Sequence, residues 1–186
     1  KPQRPAVNIA TVRHMDDMLF ICNAYHGPMM LKLGADKPTA KVMWDFPNAN
    51  PEKPTYLSIL MPSPVLKDGH VYGVSMDGEL RCLSGATGKM LWETYRATGG
   101  KKTDCGTAFI VPQENRFVIF NDQGDLILAD LDPKGYHQID KAHIIDPMPN
   151  PRGRTVVWSH PAFAQKCVFA RNDKEMVCVS LAAPKS

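Results

Sequence analysis

The chain has 186 residues, 44% of them hydrophobic, with 22 basic against 19 acidic side chains and a formal net charge of +3. That length allows one domain with a substantial core. The near-balance of charge, with no dense basic patch carrying interleaved aromatics, argues against a nucleic-acid partner, and no apolar run approaches the ~18 residues of a membrane span. Residue 1 is Lys rather than Met and the sequence shows no signal peptide, as expected of a processed chain or a fragment.

In chain order, one set of short strands recurs four times. The first copy reads Leu19-Phe20-Ile21-Cys22, a turn at Tyr25-His26-Gly27, then Met29-Met30-Leu31-Lys32-Leu33 and Val42-Met43-Trp44. The second is the clearest: Val65-Leu66, Asp68-Gly69, Val71-Tyr72-Gly73-Val74, Asp77-Gly78, Leu80-Arg81-Cys82-Leu83, Thr87-Gly88-Lys89, Leu91-Trp92. The third runs Phe117-Val118-Ile119-Phe120, Asn121-Asp122-Gln123-Gly124, Leu126-Ile127-Leu128-Ala129. The fourth runs Cys167-Val168-Phe169-Ala170, Asn172-Asp173-Lys174, Met176-Val177-Cys178-Val179, and stops near Ala182 without a Trp-bearing outer strand.

These runs are rich in Val, Ile, Phe and Leu and are bounded by Asp-Gly or Asn-Asp turns, which tolerate positive φ. Third-strand positions taken as equivalent are Met30, Leu80, Leu126 and Met176, spaced 50, 46 and 50 residues apart. Propeller blades repeat at roughly 40–50 residues, and a single copy cannot bury its apolar face alone. The expected fold is therefore all-β: a β-propeller of four-stranded antiparallel blades, about four of them, amounting to a partial or half propeller. The expected blades are 7–46, 56–95, 103–146 and 155–182, behind a Pro-rich, basic tail or linker at 1–6. Polar connectors are expected at Pro47–Pro54, Thr98–Thr103 and Asp146–Arg154, and loops of this kind decorate the faces of a propeller.

Of the five cysteines, Cys22, Cys82, Cys167 and Cys178 fall inside expected strands and Cys105 precedes one. No C-x-x-C or metal-type Cys/His spacing occurs, so buried free thiols are expected. Met15, Met18, Met29, Met30 and Met43 read as core filler. No G-x-S-x-G, P-loop or H-E-x-x-H sequence is present, and no metal site is expected.

The Asp-Gly-x-Leu strand followed by Thr-Gly-Lys and Leu-Trp resembles the repeat of the quinoprotein-like propellers. That family includes the pyrroloquinoline quinone (PQQ) dependent alcohol dehydrogenases and an outer-membrane assembly scaffold lipoprotein. Asn23–Gly27 with Met29–Leu31, His70–Leu83, Gly106–Phe109 with Phe120–Leu126, and Val157–Phe163 with Ala170–Asp173 look like the C-terminal half of PQQ-like β-propeller repeat proteins of planctomycete-type bacteria. The resemblance extends from about Val7 onward. It implies a parent about twice this length, periplasmic or otherwise exported, with no defined reaction.

In such a propeller, turns between the second and third strands share a face with the connectors between blades, and ligands bind there. That places Tyr25, His26, Asp77, Asp122, Gln123, Arg171, Asn172 and Asp173 on the ligand face, with Trp158, Ser159 and His160 entering between blades. Plainer roles stand beside these. Asp77-Gly78 and Asn121-Asp122 are turn formers. His26 is a solvated turn tip. His160 is a structural histidine, a channel ligand or a general base. Trp158 packs between blades or stacks on a planar ligand. Arg171 clamps a carboxylate or pairs with the local Asp.

Trp44 and Trp92 fall at outer-strand positions and look like inter-blade packing. The stacking Trp, calcium ligands and Asp base of the dehydrogenases do not appear as a set. The expected function is a non-catalytic, extracytoplasmic binding or scaffold module without a cofactor. The second reading is a PQQ-dependent quinoprotein oxidoreductase, with calcium, or a fragment of one whose cofactor residues lie in an absent half. Expected partners are a second copy, a missing N-terminal half, another protein or a small polar ligand.

Overall fold

Alternation of apolar and polar residues between tight turns dictates antiparallel strands that each present one face to a core. The computed structural model describes residues 9–46, 56–151 and 153–183. The tail at 1–6 and the Pro47–Pro54 connector lie outside the described residues. The first sheet contains β1 (Arg13–Met15), β2 (Met18–Asn23), β3 (Gly27–Leu33) and β4 (Ala40–Asp45). The second contains β5 (Val65–Lys67), β6 (His70–Val74), β7 (Leu80–Ser84) and β8 (Met90–Thr94). The third contains β9 (Ala108–Gln113), β10 (Arg116–Asn121), β11 (Asp125–Asp132) and β12 (Gly135–His143). A short pair, β13 (Met148–Pro149) with β14 (Thr155–Val156), precedes a last sheet of β15 (Ala162–Ala164), β16 (Cys167–Arg171) and β17 (Met176–Ser180).

Every sheet pairs strands in chain order and antiparallel, which is the meander of a propeller blade. The register corrects the repeat alignment. Leu80 stands opposite Val74, Leu126 opposite Phe120 and Met176 opposite Arg171. The residue so placed in the first sheet is Pro28, opposite Cys22, and not Met30. A slip of two residues keeps a side chain on the same face, so apolar alternation cannot detect it.

Three joints hold the sheets together. Phe20 and Met30 pack on Leu57, Ile59, Val71 and Leu83 at the first. Tyr72, Leu80 and Cys82 pack on Ile110, Phe117 and Ile127 at the second. Phe109 and Phe120 pack with Val157 and Ala170 at the third.

The first two joints carry a matching indole latch, which bears out the packing role read for both tryptophans. Trp44 donates its Nε1–H to the Gly85 carbonyl at 2.8 Å, and Trp92 donates to the Asp132 carbonyl at 2.7 Å. Each indole sits on an outer strand opposite the residue before a β-bulge, Met30 or Cys82. Gly88 accommodates the first latch: at φ +71° it has no Cβ, which would lie 2.7 Å from the Trp44 ring. At the third joint the bulge follows Leu128, and the position opposite it is Asp140. A cleft of about 590 Å³ opens there, lined by residues including Leu128, Asp140, Phe163 and Leu181.

The cysteines depart in part from the expectation. All five are free; Cys22, Cys82 and Cys105 are buried, but Cys167 is half-buried and Cys178 exposed. The last two lie on the face of β16 and β17 turned away from the third joint. Met43 is likewise 39% exposed rather than core filler, because it falls on the outward face of β4.

Candidate functional site

Three of the four turns between second and third strands share one construction, the second having Ser75 in place of the Asn. Asn23 Oδ1 accepts from the Tyr25 and His26 amides, at 2.8 and 3.2 Å. Asn121 Oδ1 accepts from the Gln123 and Asp125 amides, at 3.1 and 3.0 Å. Asn172 Oδ1 accepts from the Lys174 and Glu175 amides, at 2.8 and 2.9 Å. A short amide side chain that caps its own turn explains why Asn recurs there.

The connectors are laced to these turns. The Met76 amide donates to Ser58 O at 2.7 Å, Thr103 N to Asp77 O at 2.9 Å, and Val157 N to Asp122 O at 2.8 Å. Turns and connectors therefore occupy one face of the assembly. The expected ligand residues are distributed along it, one turn per sheet, rather than gathered in a single site. Tyr25 is half-buried and His26 exposed at the first turn.

At the second turn Asp77 is buried and faces Arg81, a residue only 1% exposed. Arg81 Nη2 meets Asp77 Oδ2 at 3.1 Å and Glu79 Oε2 at 2.6 Å; its Nε meets Glu79 at 3.1 Å. Its Nη1 donates to Ser75 Oγ at 3.1 Å and to the Tyr56 carbonyl. Burial pushes the Glu79 carboxyl up, against the pull of Arg81. Burial also raises the nearby Tyr95 phenol to about 12, with the Asp77 charge adding to it.

At the third turn Asp122 is buried and pairs with Arg154 Nη2 at 2.7 Å, while accepting from the Thr107 amide at 3.3 Å. Burial raises its pKa and Arg154 opposes the rise. Gln123 is exposed beside Gly99, at φ +102°, where a Cβ would collide with the Gln123 side chain.

The same turn carries a second charged group. Asp125 meets Lys141 Nζ at 2.8 Å and His143 Nδ1 at 3.0 Å, and His143 Nε2 lies 3.0 Å from Asp146. Burial alone would raise Asp125, but Lys141, His143 and Asn121 outweigh it and hold its pKa low. The hydrogen bonds to Asp146 and Asp125 raise His143.

The fourth turn brings expected residues together. Trp158, Arg171, Asn172 and Asp173, with Ser159, line a hollow of about 120 Å³ beside the β13–β14 pair. Asn172 is already engaged, its Nδ2 donating to the Asp146 carbonyl at 3.0 Å. His160 lies apart from this group. Its ring packs on Phe109 with centroids 4.6 Å apart, and its Nδ1 lies 2.7 Å from Pro161 O.

Sequence reasoning passed over Arg81, Glu79, Arg154, Lys141, His143 and Asp146. The signal for Arg81 was present: a Glu-x-Arg inside an apolar strand forces a buried ion pair, because a lone charge cannot be desolvated there. Nothing local marks Arg154, whose partner is 32 residues away.

A family model described as outer membrane protein assembly factor BamB matches residues 33–186. Among solved structures, BamB from Moraxella catarrhalis superposes with a TM-score of 0.59 at 17% identity, covering 95% of this chain and 46% of that one. The Cps50 (Swd1) β-propeller domain of Myceliophteria thermophila gives 0.54 at 12% identity, covering 86% and 50%. The quinohemoprotein alcohol dehydrogenase of Comamonas testosteroni gives 0.53 at 14% identity, covering 88% and 28%. The chain thus spans half or less of the length of these structures, and at such identities they share its fold alone. No curated protein matches the chain.

Proposed function

Because this chain belongs to the BamB-type family of PQQ-repeat β-propellers, we propose that it is a non-catalytic, extracytoplasmic binding or scaffold module. One observation carries the reading. The buried carboxylates on the turn face are engaged within the chain itself: Asp77 and Glu79 with Arg81, Asp122 with Arg154, Asp125 with Lys141 and His143. A carboxylate neutralised in this way ties its turn to the neighbouring elements, and removing its partner is costly.

The quinoprotein reading asks for calcium and PQQ, and the residues present do not fit either group. Among the described residues no three His, Cys, Asp or Glu side chains converge on one point. The hollow at Trp158, about 120 Å³, falls well below the roughly 300 Å³ at which pockets for drug-sized ligands begin, and the larger cleft of about 590 Å³ has no tryptophan in its lining to stack on a quinone. Adding PQQ and calcium to the protein and then removing unbound quinone by gel filtration tests the choice. The expected result is no retained quinone absorbance and no dye-linked alcohol oxidation. A retained chromophore with turnover would favour the oxidoreductase.

A scaffold of this kind has a surface for further blades. The first sheet leaves Leu19, Ile21, Met29 and Leu31 half-buried on its free face, and Val42 there is 56% exposed. On the free face of the last sheet Met176 is 69% exposed. Uncovered apolar sheet faces favour association, with a second copy or with additional blades. Light scattering of this chain is expected to give a mass above the monomer's 20.7 kDa; a stable monomer at high dilution would remove the pairing.

A further inference from the structure

The hollow at the fourth turn is chemically unlike the other three turns. At those, charged groups are satisfied within the chain. Here two donors on the lining, those of Trp158 and Arg171, are left without a partner among the described residues. Trp158 Nε1 is buried and has no hydrogen-bond partner among the described residues. The other two indoles are both bonded to carbonyls of the next sheet. Arg171, at the end of β16, is exposed and makes no ion pair with any described residue, although Asp173 lies two positions away. Ser159 lines the same hollow. A buried indole N–H left unbonded is costly and calls for a partner.

We propose that this hollow is a subsite for a single monovalent carboxylate, held by the Arg171 guanidinium, the Trp158 indole N–H and the Ser159 hydroxyl. Three lines select that ligand class. The donors are all N–H or O–H groups, one of them the planar fork that matches a carboxylate. The hollow holds about 120 Å³, room for one small polar group and not for a nucleotide or a quinone. Asp173 shares its rim, so the local charge of Arg171 and Asp173 sums to zero. The Asp173 charge repels a dianion such as sulfate more strongly than a monoanion, and it offers an acceptor to the amine of a zwitterion. The subsite stands whether or not the propeller is catalytic, since it uses none of the turn carboxylates on which that question rests.

A carboxylate can reach the hollow from an acidic side chain of a partner protein or from a free organic acid, and the experiment separates the two. The protein has three tryptophans, so an ¹H–¹⁵N spectrum contains three indole resonances, assigned through Trp→Phe variants. The chain is titrated with sodium acetate, with sodium sulfate, and with a capped peptide bearing one central Asp. The expected result is a saturable shift of the Trp158 resonance with acetate and with peptide, weak with sulfate, while Trp44 and Trp92 stay fixed. Arg171→Gln should weaken the acetate response about tenfold or more, and its unchanged Trp44 and Trp92 resonances report that the fold is intact. Asp173→Asn should strengthen the sulfate response. Saturation by peptide at lower concentration than acetate identifies a partner's side chain as the source; equal saturation identifies a free acid. No Trp158 shift up to roughly 0.1 M acetate, a range that reaches affinities weaker than 1 mM, or a shift unaffected by Arg171→Gln, would overturn the assignment.

Discussion

Replacing Arg81 by Met tests whether the turn face is held by buried charge. Met roughly preserves the aliphatic stem but removes the guanidinium, whose donors reach Asp77, Glu79, Ser75 and the Tyr56 carbonyl. Asp77 and Glu79, both under 10% exposed, would be left without their cation. Removing one partner of a buried ion pair costs about 3–5 kcal/mol, a large part of the ~5–15 kcal/mol that holds a typical domain together. The change should appear in urea unfolding as a lower midpoint at unchanged slope, and in calorimetry as a fall of about 10 °C. The loss also has a pH signature. Burial already raises the Glu79 carboxyl against the pull of Arg81, so without Arg81 its folded-state pKa climbs further above the unfolded value. The unfolded state then holds fewer protons, and stability falls as pH climbs from the unfolded carboxylate range through the raised folded value. The deficit of the variant should therefore be largest at pH 7–8 and shrink toward pH 4–5. The triple variant Arg81→Met, Asp77→Asn, Glu79→Gln should recover most of the loss at neutral pH, since no buried charge remains. A deficit below about 1 kcal/mol, within the range of ordinary surface ion pairs, or one independent of pH, would refute the claim that this cluster is a desolvated tie.

Asp140→Trp places an indole where Trp44 and Trp92 stand in the other joints; we expect a gain of about 0.5–2 kcal/mol in urea unfolding, and a loss would show that the third joint cannot close. Ellman titration of the native chain should modify Cys178 quickly and Cys167 more slowly. Cys22 and Cys82, raised to about 12 by burial, should react only after unfolding, when all five thiols become available; rapid native modification of five would contradict the burial. His143 has a folded-state pKa raised above its ordinary 6.5 by Asp146 and Asp125, so its contribution is complete below that value and is lost as pH rises through the raised one. The stability difference between the native chain and His143→Gln should accordingly be larger at pH 6 than at pH 9, and an equal difference at both would exclude the latch.

The period of the strand set was legible because a blade is a local unit: its hairpins are short, its turns are chemically marked, and its apolar alternation survives in each copy. That is why the antiparallel meander, the turn face and the two indole latches follow from residues within one blade-length. The register of the first copy was not legible, because moving from Met30 to Pro28 changes neither the face nor the apolar character of the position. The charged ties were legible only in part. Asp77 and Asp122 announce turns, and they do sit in turns, but the same side chains reach Arg81 and Arg154, and a turn propensity carries no information about what the carboxylate touches once the turn is buried. Arg154 and Asp122 meet across 32 residues because the β13–β14 pair folds back over the third turn, a tertiary event without a local signature. The hollow at Trp158 has the same origin. Trp158, on the connector, and Arg171 to Asp173, at the fourth turn, become neighbours only when that connector is laid beside the last sheet. Where the folded chain satisfies such long-range polar meetings internally, as at Arg81, the outcome is rigidity. Where it leaves donors unpaired, as at Trp158 and Arg171, the turn is the one proposed to recognise a carboxylate, and that difference in polar satisfaction separates it from the other turns of this propeller.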